Sequence, residues 1–315
     1  LPAMIRFLAM VLLMPLLFAC PPASADPLSM KLVDGFEGQD FSPSGGLYYK
    51  DNEEQRAGTV EFQGEVTHGS KGALKLSVRP QCAAGDDGCS ERAEIWERPK
   101  LRVPYESAVW FGFAVKFADP IPQDDHRYLI AQWKREVEAG AQGDISPFIA
   151  FRLRNGKLFI TVETDYVDGA TTGPEGLQNS CADGGTPVWL RPDVKQIRAI
   201  VSADSTWTAQ DGAEFNSCSS AITVIGRGNP LPSPGSGWID FAVLSQPGPS
   251  GNGHVEIFAN GKWIVTVKGH IGHAAPGLGA NQYFKFGPYR AGHEGIWSLY
   301  YDDFRRSANC ADVLG

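Results

Sequence analysis

Short runs of alternating apolar and polar residues recur along the chain from residue 32 onward. Leu74, Leu76 and Val78 would share one face of a half-buried strand, and segment 108–115 carries a similar apolar run. No long stretch keeps the 3.6-residue period of an amphipathic helix. The pattern therefore disfavours an architecture in which strands and helices alternate.

Two Asn-Gly pairs lie between such runs, and this dipeptide favours the tight turn of a β-hairpin. The predicted hairpins are Asn155-Gly156 between residues 151–154 and 158–162, and Asn260-Gly261 between residues 255–258 and 263–267.

Segments 165–196 and 204–238 are rich in Gly, Ser, Thr, Pro and Asp, and we expect them to be long loops. The chain's 36 Gly and 22 Pro suit many short strands joined by turns. The predicted fold is all-β: a single β-sandwich, a concanavalin-like jelly roll with long loops.

Composition narrows the function classes. Of the 315 residues, 43% are hydrophobic, enough to exclude global disorder. The net charge of −8 argues against a general nucleic-acid binder, which needs a broad basic surface. It leaves room for an anionic ligand, because a local cluster of Arg and Lys can set the potential of one groove.

The first residues resemble a secretory signal peptide, residues 1–25. Arg6 precedes the apolar run 7–19, and the small residues 23–25 form a cleavage site. Residues 26–315 would then be one exported domain, periplasmic or extracellular.

A lipid anchor is the alternative form of export, since residues 17–20 resemble a bacterial lipoprotein box that ends at Cys20. Apart from such an anchor we expect no membrane partner and no nucleic-acid partner, and we expect a monomer.

The remaining cysteines suit an oxidising compartment. Cys82 and Cys89 flank a short Gly/Asp loop, and Cys181 with Cys218 could close a longer one. Cys310 would then be unpaired, although sequence does not settle the connectivity.

The segment 90–98 is the first of three that carry unusual chemistry. As a strand it would project Arg92, Glu94, Trp96 and Arg98 to one face, about 7 Å apart in succession. Trp can stack on a pyranose and Arg can bind a carboxylate in a bidentate manner. A solvated face with a surface ion pair is the alternative.

The segment 128–134 would bury Leu129, Ala131 and Trp133, which leaves Gln132 and Lys134 toward solvent or a cleft.

In the segment 283–290, Tyr283, Lys285, Gly287 and Tyr289 would share the side opposite to two core phenylalanines. Gly287 would let a ligand approach the backbone, and the following proline could shift the alternation before Tyr289. Two phenols and an ammonium suit proton transfer.

These segments resemble the jelly-roll polysaccharide lyases that include heparin lyase I and glucuronan lyase, and more distantly the alginate lyases. Arg92-Ala93-Glu94 is similar to the group's Arg-x-Glu strand, 132–134 to its Gln-x-His strand, and 283–289 to its Tyr-Phe-Lys-x-Gly-x-Tyr strand. The resemblance extends from about residue 33 to 306, with supporting matches at 238–241, 253–262 and 300–303.

The resemblance implies β-elimination in a uronate-containing polysaccharide. Arg92 and Gln132 would neutralise the uronate carboxylate, and Tyr289 would transfer protons at O4, while Lys285 lowers the pKa of the phenol or holds the substrate. The remaining implied substrate-binding residues are Glu94, Trp96, Arg98, Tyr283 and Arg290.

Lys134 departs from the group's pattern, because relatives have a catalytic His there. It could be the base, or it could neutralise the carboxylate and leave Tyr289 as both acid and base. The second role is preferred, because an ordinary ammonium is almost wholly protonated near neutrality.

No cofactor is required for this chemistry. Asp302 and Asp303, with loop carboxylates, could hold a structural Ca²⁺. His270 and His273 could contribute to a metal site whose third ligand sequence does not name, and His126 and His293 are alternative bases.

Two other functions fit the same residues. A non-catalytic, lectin-like sandwich would keep the sugar groove without chemistry at Lys134. A glycoside hydrolase needs two carboxylates across the scissile bond, and Glu94 and Glu97 would lie on opposite faces of one strand.

Overall fold

The computed structural model describes residues 31–86, 88–142, 146–165, 171–172, 181 and 185–314. The predicted signal peptide, 1–25, and Cys20 lie outside the described residues. Within them the chain forms two large antiparallel sheets, numbered below in chain order, which confirms the predicted β-sandwich.

The first sheet has nine strands. They are β1 (Leu32–Asp34), β3 (Gly58–Gln63), β4 (Ala73–Val78), β8 (Val109–Phe117), β16 (Ile222–Gly226), β17 (Trp238–Gln246), β18 (Gly248–Ala259), β19 (Lys262–Ile271) and β21 (Trp297–Ser307). Their order across the sheet is β16-β19-β18-β17-β8-β21-β4-β3, and β1 also pairs with β21.

The second sheet has twelve strands and carries the site described below. They are β2 (Leu47–Tyr49), β5 (Glu91–Arg92), β6 (Ile95–Glu97), β7 (Val103–Pro104), β9 (Tyr128–Val137), β10 (Ile149–Arg154), β11 (Lys157–Asp165), β12 (Thr171–Thr172), β13 (Thr186–Arg191), β14 (Gln196–Ala203), β15 (Ser217–Ser219) and β20 (Leu278–Arg290). The order is β12-β15-β13-β14-β11-β10-β9-β20-β6-β2, with β5 and β7 also paired to β20.

Helical structure is sparse in the described part of the chain. It consists of the 3-10 turns Glu53–Gln55, Pro99–Leu101, Pro192–Val194 and Pro234–Ser236, and the short helix Ala311–Leu314. No helix among the described residues has the length and apolar character needed to cross a bilayer.

Aromatic side chains from both sheets fill the space between them. The rings of Phe113 in β8 and Phe284 in β20 are 5.4 Å apart, and Trp133 in β9 lies 4.5 Å from Phe284. All three are buried. Because side chains alternate along a strand, this packing turns Gln132, Lys134 and Lys285 to the outer side of the twelve-stranded sheet.

Both predicted hairpins form. Asn155 and Gly156 join β10 to β11 with φ of 50° and 71°, and Asn260 and Gly261 join β18 to β19 with the same two values. Left-handed conformations at both turn positions are those that Asn-Gly tolerates.

The expected long loops 165–196 and 204–238 are only partly loops, which corrects the prediction. The first contains β12 and β13, and the second contains β15 and β16. The polar composition of these segments gave no indication of strands. Pairing of β13 with β14 and β15 stabilises the strand without the apolar alternation that usually indicates one.

Two disulfides join the expected pairs, Cys82 to Cys89 and Cys181 to Cys218. Cys310 is disulfide-bonded as well, so the expectation that it is unpaired was wrong. Such bonds persist in the oxidising conditions outside the cytoplasm, which supports a periplasmic or extracellular protein.

Candidate active site

A cavity of about 630 Å³ opens on the outer side of the twelve-stranded sheet. Arg92, Gln132, Lys134 and Tyr289, the four residues predicted to be catalytic, all line it. Strand pairing explains how separate segments meet there: β20 pairs with both β5 and β9, and Tyr289 lies opposite Arg92.

Tyr289 is surrounded by cations. The guanidinium carbon of Arg92 lies 4.0 Å from the centroid of its ring, and that of Arg127 lies 5.2 Å from it. The ammonium of Lys285 is 5.8 Å from the same centroid. The Ser90 hydroxyl donates a 3.4 Å hydrogen bond to the Tyr289 oxygen. Three cationic side chains therefore lie around this ring.

Glu94 lies beneath the cavity floor instead of facing a ligand. Its side chain is 1% exposed, and its carboxylate accepts hydrogen bonds from Lys285 Nζ at 2.7 Å and Gln132 Nε2 at 2.5 Å. Arg92 Nη1 lies 3.5 Å from the same carboxylate. The expected substrate contact is thus corrected: Glu94 orders the side chains that line or support the cavity.

The local backbone explains this placement. The strand predicted over 90–98 is interrupted, because β5 ends at Arg92 and β6 begins at Ile95. Gln55 replaces the missing strand partners: its amide accepts from Glu94 N at 2.9 Å and donates to Glu94 O at 3.2 Å. Sequence reasoning missed Gln55, because nothing in its local pattern links it to a segment 39 residues away.

Lys285 is 1% exposed and does not line the cavity, so the predicted direct contact with substrate is corrected as well. Burial lowers its pKa to about 7, although the Glu94 carboxylate favours the charged form; Arg92 and Lys134 add to the lowering. Lys285 is therefore connected to the cavity indirectly. It forms an ion pair with Glu94, and its ammonium lies 5.8 Å from the centroid of the Tyr289 ring.

Trp96 on β6 and Tyr283 on β20 stack on each other with ring centroids 5.4 Å apart, and neither is among the residues that line the cavity. Burial raises the pKa of Tyr283 above its ordinary value, so its phenol stays neutral. Arg98 is exposed, 5.9 Å from the ring of Tyr48. Tyr283 lies opposite Lys134 where β20 pairs with β9, and the Lys285 ammonium is 4.6 Å from the centroid of Trp96. These two rings are therefore beside the predicted catalytic residues.

Arg290 is buried, and its Nε donates to the Glu91 carboxylate at 2.6 Å. The same carboxylate accepts hydrogen bonds from Gln81 N and Cys82 N, so the pair joins β20 to the disulfide loop. Arg290 is therefore a structural residue here, and its predicted place in substrate binding is corrected.

Gly287 marks a register shift in β20 between Phe286 and Tyr289, as the following proline suggested. Its φ is +127°, and a Cβ atom there would lie 2.1 Å from Ala93 O and 2.9 Å from Leu76 Cδ1. The close neighbour of this glycine is thus the protein's own backbone. The expectation that Gly287 makes room for a ligand was wrong.

Comparison with known proteins assigns the chain to a family. A family model described as "Polysaccharide lyase" matches residues 40–305, a range that includes the four residues predicted to be catalytic. The chain belongs to the polysaccharide lyase family. No protein with a curated description matches it significantly.

A solved structure supports the fold of this polysaccharide lyase. An endo-β-1,4-glucuronan lyase from the fungus Trichoderma reesei is 15% identical, with a TM-score of 0.56, and the match covers 93% of this chain and 98% of that one. A cellulose-induced protein, Cip1, is 13% identical with a TM-score of 0.47, over 88% of this chain and 97% of that one.

The lyase cavity is more basic than sequence reasoning expected. Six arginines and one lysine line it against one aspartate. The arginines beyond Arg92 were missed because they lie on β10, β13, β14 and the segment before β9, where each resembles an ordinary solvated position. The alternation Phe151-Arg152-Leu153-Arg154 was a signal, since it turns both arginines to the outer side of the sheet.

The carboxylates suggested for Ca²⁺ are engaged by other groups. Asp302 accepts hydrogen bonds from His68 N and Ser70 Oγ, and Asp303 contacts His68 Nδ1 at 2.9 Å. A Ca²⁺ site there stays a prediction.

The structure also shows the surroundings of the histidines that were suggested as metal ligands or bases. His270 Nδ1 lies 2.6 Å from Pro249 O, and His273 Nδ1 lies 2.9 Å from Asp165 Oδ1. Among the described residues, one histidine and carboxylate group has ligand atoms within 4.8 Å of one another: Asp124, His126 and His293. His126 also lines the cavity.

Proposed function

We propose that this polysaccharide lyase cleaves a uronate-containing polymer by β-elimination in the cavity that Arg92, Gln132, Lys134 and Tyr289 line. The convergence of these four side chains from three separate strands carries the proposal. The basic lining supports an acidic polymer, because one cavity concentrates the positive charge of a chain whose net charge is −8.

Elimination requires three balanced events. The C5 proton of the uronate passes to a base, the electron pair forms the C4–C5 double bond, and the C4–O4 bond breaks while O4 receives a proton. The C5 proton is too weakly acidic until the adjacent carboxylate is neutralised. Arg92 and Gln132 are assigned to that carboxylate, because their side chains meet at one end of the cavity and share Glu94 as an anchor.

Tyr289 is assigned as the group that takes the C5 proton and returns it to O4. The phenolate form removes the proton in this mechanism, and the guanidiniums of Arg92 and Arg127 lie over the ring that would carry its negative charge. After transfer, the neutral phenol is the acid that the departing O4 needs. One residue suffices when both events occur on the same face of the sugar.

Lys134 is assigned to the carboxylate as a second cation. It lines the cavity from β9, two residues beyond Gln132, so the side chains of both leave the same side of the strand. The opposite assignment, with Lys134 as the base, predicts that Lys134→Gln abolishes turnover as completely as loss of Tyr289.

Export through the predicted signal peptide, or with a lipid at Cys20 as the alternative, agrees with the disulfides Cys82–Cys89 and Cys181–Cys218. It would place the enzyme where extracellular polymers are accessible. Mass spectrometry of the mature N-terminus from the native host distinguishes cleavage after residue 25 from lipidation at Cys20.

The test is the ultraviolet absorbance of a C4–C5 unsaturated uronate during incubation with glucuronan, alginate and heparin. We expect absorbance to rise with at least one polymer. Tyr289→Phe should abolish the rise with little loss of polymer binding, because the ring and its cationic neighbours remain. Tyr300→Phe, on the nine-stranded sheet, is the matched control and should behave as wild type.

Two outcomes would overturn the proposal. Reducing ends released without an unsaturated product would indicate hydrolysis, and polymer binding without any product would indicate a lectin-like protein. Full turnover by Tyr289→Phe would remove Tyr289 from its assigned role.

A further inference from the structure

We infer that the cavity contains a second anion-binding position, formed by Trp189, Arg191 and Arg198 and organised by the buried carboxylate of Glu163. We call these four residues the distal subsite. The inference rests on the proposed function in one respect: it assumes that a single acidic sugar chain occupies the cavity.

The indole of Trp189 supplies an apolar surface beside two cations. The guanidinium carbons of Arg198 and Arg191 lie 5.1 Å and 5.4 Å from its ring centroid, and all three side chains line the cavity. An aromatic ring can stack on the C–H groups of a pyranose, while a guanidinium binds a carboxylate or sulfate through two parallel hydrogen bonds. Together they match one acidic sugar unit.

Glu163 holds the guanidiniums in place. It is fully buried in β11, and its carboxylate accepts from Arg198 Nε at 2.6 Å and from Arg191 Nη1 at 3.0 Å. Arg152 Nη2 donates to it at 3.3 Å. Burial acts to raise the pKa of Glu163, but the three arginines hold it below its ordinary value, so the carboxylate stays charged.

Guanidiniums outnumber carboxylates among the described residues of this cluster, where Arg152 and Arg198 alone share the single carboxylate of Glu163. Three guanidiniums surround one carboxylate, and the side chains of Arg152, Arg191 and Arg198 are only 9%, 17% and 12% exposed. Because solvent screens such charges weakly, the excess positive charge favours a bound anion.

The distal subsite is too far from the catalytic end for one acid group to reach both. Gln132 is on β9 and Arg198 is on β14, and β10 and β11 lie between them. Three strand spacings separate the backbones of the two strands by about 14 Å. In the proposed binding mode two different sugar units therefore carry the two acids. This favours a polymer with acid groups on many of its units over one with isolated acids.

Binding to the non-cleaving Tyr289→Phe protein tests the inference. Isothermal titration would compare a uronate disaccharide with a hexasaccharide, a sulfated heparin hexasaccharide and a neutral cello-hexasaccharide. We expect the uronate hexasaccharide to bind at least tenfold more tightly than the disaccharide, and the neutral chain to bind far more weakly. Comparison of the sulfated heparin hexasaccharide with the uronate hexasaccharide shows whether sulfate or carboxylate is the preferred anion.

Arg198→Gln in the same background should remove that advantage, with a loss of about tenfold or more for the hexasaccharide. It should leave the disaccharide unaffected if the disaccharide binds at the catalytic end. Arg305→Gln, on the nine-stranded sheet, is the matched control. Circular dichroism and the unfolding midpoint establish that each variant is folded, and Arg198→Lys, which keeps the charge but loses the bidentate geometry, should fall between.

Equal affinities for short and long uronates, or hexasaccharide binding unchanged by Arg198→Gln, would overturn the distal subsite while leaving elimination intact. Arg198-dependent binding without any unsaturated product from the wild type would support the subsite and refute elimination. The two proposals therefore fail separately.

Discussion

The buried pair of Glu94 and Lys285 shows how single residues behave differently from their expected roles. Both were expected to contact substrate, and both lie under the cavity at 1% exposure. A buried carboxylate that receives an ammonium, an amide and a nearby guanidinium holds those donors in fixed positions. The end of the cavity with the predicted catalytic residues therefore has two layers. Arg92, Gln132 and Tyr289 line the cavity, and the ion pair of Glu94 and Lys285 lies beneath them.

Arg92→Ala should reduce both turnover and affinity for acidic polymer. The variant loses one donor to the uronate carboxylate and the cation nearest to Tyr289, and removal of such a preorganised group costs about 100-fold in rate. Steady-state kinetics on the best polymer, with titration of the binding affinity, measure both effects. Unchanged values of kcat and Kd would exclude Arg92 from the site.

Lys285 should titrate near neutrality. The folded protein releases the Lys285 proton near pH 7, whereas the unfolded chain keeps it until about pH 10.5. Between these values the unfolded state binds more protons, so this residue's contribution to the free energy of unfolding rises with pH, by at most about 1.4 kcal/mol per pH unit.

An NMR titration of lysine Cε resonances measures that pKa directly. Lys285→Arg identifies the signal by its disappearance. A midpoint near 10.5 would contradict the expectation and would mean that Glu94 fully compensates for burial.

Strand interruptions, at the scale of elements, decide which side chains reach the cavity. The break between β5 and β6 turns Glu94 under the floor, and the register shift at Gly287 sets Tyr289 opposite Arg92. The disulfide loop contributes as well, because the carbonyl of Cys89 accepts a 3.1 Å hydrogen bond from Arg127, which lies over Tyr289.

Gly287→Ala tests the importance of the register shift. A Cβ atom would collide with Ala93 O, and a positive φ is itself strained for alanine, so we expect a loss of about 3 kcal/mol in the free energy of unfolding. Urea denaturation measures the change. Gly235→Ala is the control, because a Cβ there meets nothing within 4 Å. Equal stability of the two variants would show that the strand adapts readily.

Charge is distributed unevenly over the whole molecule. The chain has a net charge of −8, yet its cavity is lined by seven cations and one aspartate. A negative surface keeps the protein soluble and disfavours non-specific contact with anionic polymers, and the cavity supplies the local attraction.

Salt should therefore weaken capture of substrate more than it slows chemistry. Between about 0.05 M and about 0.5 M NaCl, we expect KM for an acidic polymer to rise several-fold while kcat changes little, because screening weakens long-range attraction before it affects buried pairs. Kinetics at several ionic strengths test this, with Arg198→Gln expected to show a shallower dependence. A KM independent of salt would argue against electrostatic capture.

Much of the fold and part of the site were predictable from sequence. Alternating runs and two Asn-Gly pairs identified a sandwich, because strand periodicity and turn chemistry act over a few residues. The three segments with Arg92, Gln132 and Tyr289 were recognisable for the same reason, since each motif is local. The short strands inside the polar segments were missed, because their stability comes from partners distant in sequence.

Tertiary structure decided how those local pieces act together. Burial of Glu94, Lys285 and Arg290 depends on which strands become neighbours, and no property of the three segments specifies it. The distal subsite depends even more on which strands are neighbours, because Glu163 binds arginines from three strands, β10, β13 and β14. Local sequence determined which chemical groups each strand offers, and the pairing of strands across the sheet determined which of them line one cavity and which lie beneath it.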